Sequence, residues 1–540
     1  MMLLDQSRRT GFGTEVAWTL PATSAGLSPG RWGPILSAAS SSEAHLRSGN
    51  AVQALIDGAE TFRSMVGDLR ATQGPHDFIY LLGWDIVDNF NLAPGLAPLP
   101  TSVAELFREA DARNVQIRVM LWAKPLRANQ GTVDAVNYLS HGAAIRDDLT
   151  AKNRPISNAQ IVQLLINQGV NAAAAALMAS TIRRNPVSLL GSHHQKVMII
   201  KRGELLVAYC GGVDINSNRV IAVDPNDPQH DAHCRIVGPS AWDLLQTFIK
   251  RWRHHPEGAR YDAGPKGPLL GVSEPVPASV PTPAVADAPF GGSSSVIIGR
   301  TFNPTHAVPG TPAVIRERDI KDLVIAAINH AERFIYIEDQ YLIDLEVAAA
   351  INHALPRLQH VTILIPGNSI TSGGHPFIEE YRRDFVDRVR TGLSSAIAGK
   401  CQVFQLSNSQ SAPAFGRHTY VHAKTWVIDD ELAIIGSANC NRRGYQHDSE
   451  VDAFIFGSNS GWNGSSSFAQ AYRMRLWNEH LGVPLAALVN GVTSSGLWRR
   501  ATRPGSARVF EFDHSLPTGI GQSIRDAAAD ALRSLIDPVP

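Results

Sequence analysis

Two short motifs in this chain combine a histidine with a lysine two residues later. The first places His194 before Lys196, and the second places His422 before Lys424. Residues two apart on a strand share a face, so each pair predicts an imidazole and an ammonium group side by side. Two such units suit phosphodiester chemistry: one imidazole attacks phosphorus, the other protonates the leaving oxygen, and the lysines stabilise the anionic oxygens. The spacing therefore predicts one site formed by two converging histidines.

The elements that must position these motifs occur in the same order twice. Apolar periodicity predicts helices, strands and a hairpin directly after each motif. The predicted elements of the first passage are a helix over Val52–Leu69, strands at 78–84 and 115–122 around a helix at 102–112, the hairpin 197–210, a strand at 234–237 and a helix at 241–252. Those of the second are a helix at 320–331, strands at 334–337 and 361–365, a helix at 377–393, the hairpin 425–435, a strand at 451–456 and a helix at 468–481.

Short strands alternating with helices predict an α/β fold. We expect two related halves that form a pseudo-dimer, each a mixed β-sheet flanked by helices, with the active site at their interface. The predicted segments are an N-terminal extension 1–49, a first half 50–255, a Pro/Gly-rich linker 256–298, a second half 299–482 and a C-terminal extension 483–540 with one helix at 524–535. Polar loops at 124–157 and 366–377 are expected to shape the mouth of the site.

The amino-acid composition argues against several classes of function. Lys+Arg and Asp+Glu both number 49, so the net charge is zero, which argues against a basic nucleic-acid binder. Four cysteines form neither a disulfide framework nor a zinc pattern, and we expect no metal or cofactor. Polar residues interrupt the uncharged runs Pro155–Ile182 and Leu481–Trp498, so no membrane span is expected, and the N-terminus lacks the pattern of a signal peptide. These features predict a cytoplasmic protein by default, with export by a route that reads no N-terminal signal left open.

The motifs together resemble the phospholipase D superfamily, and within it the larger phospholipases. The segments that carry this resemblance are Ser192–Lys196, Gly211–Asp214, His230–Pro239, Ile335–Leu342, His422–Lys424, Gly436–Asn439, Asp448–Glu450 and Arg475–Gly482.

The resemblance implies a role for each matching residue. His194 is expected to be the nucleophile that forms a phosphohistidine, and His422 the general acid. Lys196 and Lys424 are expected to neutralise the phosphorane. The other residues implied are Asp231 and Glu450 to orient His194 and His422 respectively, Asn216, Asn439 and Asn441 to bind phosphate, Asp214, Asp429 and Ser437 as supporting residues, and His193 and His230 as pocket residues.

The first motif departs from this pattern. The aspartate expected seven residues after the motif histidine is Asp429 in the second copy but Lys201 in the first. If that aspartate braces the hairpin, Glu204 or another carboxylate could compensate. If it supports the active lysine, Lys201 would lower activity.

The resemblance implies hydrolysis of the distal phosphodiester of glycerophospholipids to phosphatidic acid and free headgroup, with transphosphatidylation as a side reaction. The implied partner is a phospholipid membrane surface, and no nucleic acid is expected, since zero net charge suits a polyanion poorly. The sequence leaves three alternatives and the oligomeric state open. The alternatives are a phosphatidyltransferase such as a cardiolipin or phosphatidylserine synthase, a nuclease of the same fold and an inactive lipid-binding relative.

Overall fold

The structure is a computed structural model of the 540-residue chain. It describes residues 32, 35, 44–123, 128–148, 157–167, 171–183, 191–220, 229–272, 294–303, 317–366, 378–406, 419–456, 458–459, 466–502 and 509–512. The strands are β1 Leu46–Ile56, β2 Phe78–Gly83, β3 Gln116–Trp122, β4 Gly142–Asp147, β5 Val197–Arg202, β6 Leu205–Gly211, β7 Gln229–His230, β8 Ala232–Val237, β9 Ser294–Phe302, β10 Glu317–Arg318, β11 Phe334–Asp339, β12 His360–Ile365, β13 Cys401–Leu406, β14 Tyr420–Val421, β15 Lys424–Ile428, β16 Leu432–Gly436, β17 Glu450–Phe456, β18 Ser458–Asn459, β19 Ser466–Ser467 and β20 Val509–Glu511.

The α-helices run between these strands and flank the sheet. They are α1 Asp57–Arg70, α2 Val103–Ala112, α3 Gln130–Tyr138, α4 Asn158–Asn167, α5 Ala172–Arg183, α6 Pro239–His254, α7 Pro256–Asp262, α8 Asp319–His330, α9 Leu345–Ala354, α10 Ile378–Arg390, α11 Ser395–Ala398, α12 Phe468–Leu481 and α13 Gly496–Arg500. In the described part of the chain, no helix combines the length and the apolarity needed to cross a bilayer.

One 16-stranded mixed sheet forms the centre of the molecule, counted over the described residues. From one edge, fifteen of its strands follow the order β4-β3-β2-β5-β6-β8-β1 and then β9-β17-β16-β15-β11-β12-β13-β20, and the sixteenth, β10, pairs with β9 beside this path. The second run repeats the first in reverse, since β9 takes the place of β1, β17 that of β8, and β15 that of β5. Strands β2, β3 and β4 of the first run are parallel to one another, as are β11, β12 and β13 of the second, and the hairpin strands are antiparallel. The edge strand β20 pairs antiparallel with β13. The expected mixed α/β architecture is confirmed.

Strands β1 and β9 join the two runs. They pair antiparallel, and β1 also pairs with β8, so β1 has a neighbour on both sides. This position explains a wrong prediction: Val52–Ile56 continues β1, and the helix begins only at Asp57. The apolar spacing of Val52, Leu55 and Ile56 fits a helix, but burial on both faces of a central strand requires the same residue types.

Apolar side chains cover both faces of the sheet. One core lies under α6 and α12 and includes residues of both halves, such as Phe248 and Trp477. On the opposite face, α1 and α2 cover the first half, and α8, α9 and α10 cover the second. This shared core holds the two motifs in a fixed relationship.

Other sequence predictions have mixed outcomes. The strands and hairpins beside the motifs, and helices α2, α6, α8, α10 and α12, form where they were expected, within a few residues. The segment predicted as a loop at 124–157 contains α3 and β4, and the predicted linker contains α7 and the start of β9. Residues 273–293 of that linker, 367–377 of the second predicted loop and the predicted helix 524–535 lie outside the described residues.

Candidate active site

Each motif histidine lies in a short segment that leads into a hairpin, and each segment pairs with the opposite half. The backbone N–H of His194 donates to the carbonyl oxygen of Ser449 (3.0 Å), and that of His422 donates to the carbonyl oxygen of His230 (2.7 Å). Strands β7 and β14 extend the second contact, and the bridge between His193 and Ser449 matches it in the first. These exchanged pairs bring the motifs together although they are far apart in the chain.

The pairing of histidines with carboxylates is the reverse of the one predicted. His194 Nδ1 lies 2.8 Å from Glu450 Oε1, and His422 Nδ1 lies 2.8 Å from Asp231 Oδ2. The prediction that Asp231 orients His194 and Glu450 orients His422 is therefore wrong. The cause is the exchanged backbone pairing, because each histidine segment runs beside the carboxylate strand of the other half.

Both imidazoles are oriented to react through Nε2. Nδ1 of each ring faces its carboxylate, and a proton held there leaves Nε2 unprotonated. His422 Nδ1 also lies 3.0 Å from Lys424 Nζ. The side chains of His194 and His422 retain 12% and 10% exposure, so a substrate atom can reach them. Burial lowers the pKa of both imidazoles well below the usual range, and the nearby lysines Lys196 and Lys424 lower it further. In the free site, these surroundings favour the neutral form of both rings.

The two motif lysines differ in their partners. Lys196 Nζ donates to the carbonyl oxygen of His194 (2.8 Å) and lies 3.4 Å from Asp214 Oδ2. Lys424 Nζ donates to the His422 carbonyl oxygen and to Gln340 Oε1 (2.8 Å), a neutral amide. Burial lowers the pKa of Lys424 to about 7, and Lys196 and Arg219 add to this effect. Lys424 is thus a cation whose charge an incoming anion would stabilise.

Arg219 is a buried cation that the sequence analysis missed. Its guanidinium lies 3.5 Å from Asp231 and 3.6 Å from Asp214. Asp214, predicted as a supporting residue, contacts both Lys196 and Arg219 and so connects two positive groups. The sequence signal was available, because Arg219 follows the Gly211–Asp214 turn by five residues, but nothing local indicated that its side chain turns inward.

The residues behind the two carboxylates are not equivalent. Ser437 Oγ donates to Glu450 Oε2 (2.5 Å), as expected of a supporting residue. The matching position in the first half is Gly212. A Cβ atom there would lie 2.1 Å from Asp231 Oδ1, so Asp231 occupies the space that a side chain would fill. Gly212 is required for this close approach, whereas Ser437 serves as a hydrogen-bond donor.

The three predicted phosphate-binding asparagines have different surroundings. Asn439 is buried, and its Oδ1 has no hydrogen-bond partner among the described residues. Asn441 Oδ1 accepts from the backbone N–H of Gly444 (2.7 Å), so this oxygen stabilises a turn. Asn216 is half-buried and precedes a short 3-10 turn. Phosphate binding by these residues remains a prediction.

Asp429 braces the second hairpin. Its carboxylate accepts from the backbone N–H groups of Glu332, Arg333 and Phe334 at 2.7–2.8 Å. It follows Lys424 by five strand residues, which places it roughly 16 Å from the active lysine. Its role is therefore local and structural.

In the first half, Asp77 provides the corresponding brace. Asp77 accepts from the backbone N–H groups of Gln73 (2.6 Å) and Gly203 (2.9 Å), and Lys201 Nζ donates to the carbonyl oxygen of His76 (3.2 Å). The compensating carboxylate is thus Asp77, which directly precedes β2, the strand that pairs with β5, and not Glu204. Lys201 lies at the end of β5 away from the motif, so its replacement of aspartate gives no reason to expect lower activity.

A buried charge cluster lies behind Asp231. Glu338 accepts from His230 Nε2 (2.8 Å), His480 Nε2 (2.9 Å) and Tyr336 Oη (2.6 Å), while His230 Nδ1 contacts Asp57 (2.9 Å). Burial alone lowers the pKa of His230, but Glu338 and Asp57 outweigh burial and raise it well above the usual range. Because Asp231 follows His230 directly, the cluster fixes the segment that orients His422.

The same cluster contains the donor atoms that could hold a metal ion. Two groups of three in the described part of the chain qualify, namely His230 with Glu338 and His480, and His230 with Asp57 and Glu479. In the first group every one of these donor atoms already takes part in a hydrogen bond of 2.8–2.9 Å, the geometry of an ion-pair network. His193, the other predicted pocket residue, contacts Asp147 Oδ2 through Nδ1 (2.9 Å) and is fully buried.

Aromatic side chains form the walls of the site. The ring of Trp84 is 6.1 Å from that of His194, and Lys196 Nζ is 5.9 Å from the Trp84 ring. On the other side, the ring of Tyr420 is 6.3 Å from that of His422, and its hydroxyl accepts from Gln340 Nε2 (2.8 Å). Both Trp84 and Tyr420 are half-buried, as expected of side chains at the mouth of a cleft.

The chain is similar to several known proteins. A family model described as "Cardiolipin synthase, PLD-like domain" matches residues 324–473. The chain is 24% identical over 523 residues to phospholipase D alpha 2 of Oryza sativa subsp. japonica, covering 75% of the chain and 62% of the relative. It is also 24% identical over 529 residues to phospholipase D beta 1 of Arabidopsis thaliana, covering 75% of the chain and 47% of the relative. The chain thus spans about half to three fifths of the length of these curated relatives.

Among solved structures, the chain is similar to the phosphatidylserine synthase of Haemophilus influenzae Rd KW20, with a TM-score of 0.48, 12% identity and coverage of 92% and 97% of the two chains. The family model and the sequence relatives support the resemblance of this chain to the phospholipase D superfamily.

Proposed function

We propose that this protein is a phosphodiesterase that cleaves the distal phosphodiester of glycerophospholipids, releasing the headgroup alcohol and leaving phosphatidic acid. The observation that carries the proposal is the pair of largely buried reaction centres, His194 with Glu450 and His422 with Asp231, each built from both halves. The named relatives act as support for a phospholipid substrate.

In the first step, His194 Nε2 attacks phosphorus. The N–P bond forms as the bond from phosphorus to the headgroup oxygen breaks, and His422 in its protonated form donates a proton to that oxygen. The ring of His194 gains positive charge, which Glu450 offsets through the Nδ1–H hydrogen bond. His422 must therefore acquire its proton in the substrate complex, and the substrate's negative charge favours that protonation.

In the second step, water replaces the headgroup. His422, now neutral, accepts a proton from water as its oxygen attacks phosphorus, and the N–P bond breaks to release phosphatidic acid. An alcohol in place of water gives transfer by the same route. The assignment of His194 as nucleophile follows the family resemblance, since each histidine has one carboxylate partner and the geometry is nearly symmetric.

The anionic oxygens of the phosphorane lie among cations. Lys196 and Lys424 accompany the two histidines, and Arg219 lies behind them against Asp231 and Asp214. Preorganised positive groups in a partly buried site stabilise developing negative charge more than water does.

The test is headgroup release from vesicles of phosphatidylcholine, phosphatidylethanolamine and phosphatidylglycerol with EDTA present. Wild type is compared with His194→Ala, His422→Ala and the matched control His353→Ala, which removes an exposed histidine on α9. We expect release by wild type and the control, and loss in both motif variants. Release that persists in both motif variants would contradict the proposal.

Two additions distinguish the remaining alternatives. Adding ethanol or glycerol separates hydrolysis from transfer, because a transferase forms the phosphatidyl-alcohol in preference to phosphatidic acid. Cleavage of a DNA substrate tests the nuclease alternative. A folded protein that cleaves neither substrate is the inactive relative, a hypothesis that loses its main motive now that Asp77 replaces the missing aspartate.

A further inference from the structure

We propose that His233 positions the motif lysine Lys196 through a buried water that it shares with Asp214. This inference rests on the proposed function for the role of Lys196, but one arm of its test does not depend on turnover.

A small cavity lies beside Lys196. Its polar lining consists of Lys196, Asp214, His233 and Asp85, and the other residues that line it are apolar or glycine. Its volume is about 20 Å³, which exceeds the roughly 10–15 Å³ that one buried water requires. A cavity of this size with polar walls suits a single ordered water, whereas cavities that stay dry are lined by apolar groups.

Two buried polar atoms of the lining residues have no hydrogen-bond partner among the described residues. They are His233 Nε2 and Asp214 Oδ1, which belong to residues that are 1% and 3% exposed. A buried polar atom without a partner destabilises the folded state, and an ordered water commonly supplies the missing partner. The two atoms therefore indicate a water in the cavity that both residues line.

These two atoms have complementary hydrogen-bonding character. Burial lowers the pKa of the His233 ring to about 3, so the ring is neutral and carries one N–H group. Its Nδ1 accepts from the backbone N–H of Val213 (3.4 Å), which leaves the proton on Nε2. His233 Nε2–H is thus a donor and Asp214 Oδ1 an acceptor, and one water can join them.

The second half of the chain supports this tautomer. Asp452 lies at the position that His233 has in the first half, since both are opposite the last residue of the second hairpin strand. Asp452 Oδ1 accepts from the backbone N–H of Ala438 (3.0 Å), which is the bond that His233 Nδ1 forms with Val213. The turn N–H therefore faces an acceptor in both halves.

Gly83 makes room for the cavity that it helps to line. The register of β2 and β5 places Gly83 opposite Lys196, just as Asp339 lies opposite Lys424. In the second half, the Asp339 carboxylate accepts from three backbone N–H groups. In the first half, this side of the strand carries no side chain, which leaves space for a water beside the lysine.

The water fixes the carboxylate that contacts Lys196. Both cations beside Asp214 contact the same oxygen, since Lys196 Nζ lies 3.4 Å and Arg219 Nη2 lies 3.6 Å from Oδ2. With Oδ1 joined to His233 through the water, the carboxylate is held against rotation about its Cβ–Cγ bond. His233 thus acts on Lys196 through Asp214, and it is too deeply buried to touch the substrate itself.

Two substitutions distinguish the roles of the two ring nitrogens of His233. In His233→Asn, the amide oxygen can replace Nδ1 as the acceptor for Val213, but the side chain is too short to reach the water. In His233→Gln, the amide NH₂ group can replace Nε2–H as the donor to the water, but the bond to Val213 is lost. Each variant therefore keeps one of the two contacts.

Crystal structures of wild type and both variants form the first arm of the test. We expect a water in contact with His233 Nε2 and Asp214 Oδ1 in wild type, retained in His233→Gln and lost in His233→Asn. A wild-type cavity without density for a water would overturn the proposal. This arm gives a result even if the chain cleaves no phospholipid.

Steady-state kinetics on a monomeric short-chain phosphatidylcholine form the second arm. His233→Asn should lower kcat roughly 3–10-fold with KM little changed, the size expected for one hydrogen bond, while His233→Gln should stay within about two-fold of wild type. A residue that only supports the turn would give the reverse order, and that order would overturn the proposal. No headgroup release from wild type, with the water present, would contradict the proposed function and leave the water site standing.

Discussion

His422 is oriented by Asp231, a carboxylate 191 residues earlier in the chain, through a contact of 2.8 Å. The reciprocal contact joins His194 to Glu450, 256 residues later. Each reaction centre is therefore complete only when both halves are docked, because neither half contains a histidine and its own carboxylate partner.

This exchange predicts which pairs of substitutions are coupled. Asp231→Asn should lower turnover roughly 10²–10⁴-fold, and adding His422→Ala should cost little more, since both changes disable the same unit. Glu450→Gln should couple in the same way to His194→Ala. Rates of all single and double variants on a monomeric phosphodiester check this. Coupling of Asp231 to His194 instead would restore the pairing that the sequence predicted.

Gly212→Ser should abolish most activity although it copies Ser437 of the other half. The new Cβ would lie 2.1 Å from Asp231 Oδ1, so the carboxylate must leave His422. We expect a loss of roughly 10²-fold or more, in the range of a removed acid–base group. The matched change Ser437→Gly removes one hydrogen bond to Glu450, worth about 1 kcal/mol, and should slow turnover only about five-fold. Equal losses in the two variants would rule out the steric argument.

The pH profile should report Lys424. Burial lowers its pKa to about 7, so the free enzyme loses this positive charge as pH rises through neutrality. We expect kcat/KM for an anionic phosphodiester to fall above about pH 7 in wild type. In Lys424→Arg, whose guanidinium keeps its charge, the fall should move to higher pH even if the maximal rate is lower. If the fall of kcat/KM at high pH is the same in Lys424→Arg as in wild type, that fall is due to another group.

Lys424 also predicts a stability trend with a definite sign. The unfolded lysine titrates near 10.5, so between about pH 7 and 10.5 the unfolded chain binds more protons than the native one. The contribution of this residue to the free energy of unfolding therefore rises with pH across that window. The midpoint temperatures of thermal unfolding are measured for wild type and Lys424→Met at pH 7 and pH 9. The midpoint of wild type relative to that of the variant should be higher at pH 9 than at pH 7.

Variants of Lys201 and Asp77 should distinguish a role in stabilising the first hairpin from a role in catalysis. Asp77→Ala leaves two backbone N–H groups without their acceptor and should lower the free energy of unfolding by about 2–4 kcal/mol. Lys201→Asp, which restores the expected family residue, should change turnover less than two-fold because the position lies at the far end of β5 from Lys196. Denaturant melts and initial rates of the two variants provide the comparison. A large gain of activity in Lys201→Asp would show that this position acts on the site.

The local sequence determined the candidate reacting groups and the fold class of this protein. The spacing of His194 and Lys196, and of His422 and Lys424, identified the reacting groups, and the alternation of short strands and helices predicted a mixed α/β fold. These features depend on periodicity and turn chemistry within a few residues, for example the left-handed Asp429 and Asp430 in the second hairpin, where the first has Gly203.

Only the tertiary structure decided which groups meet. The alignment of Asp231 with Glu450 was sound, but their histidine partners are exchanged because strand pairing between halves joins residues about two hundred positions apart. Arg219, Asp77 and the His230–Glu338 contact were missed for the same reason. Val52–Ile56 became a strand because it lies where the two runs of the sheet join. Such contacts depend on how distant surfaces pack, and no local pattern of residue types encodes that packing.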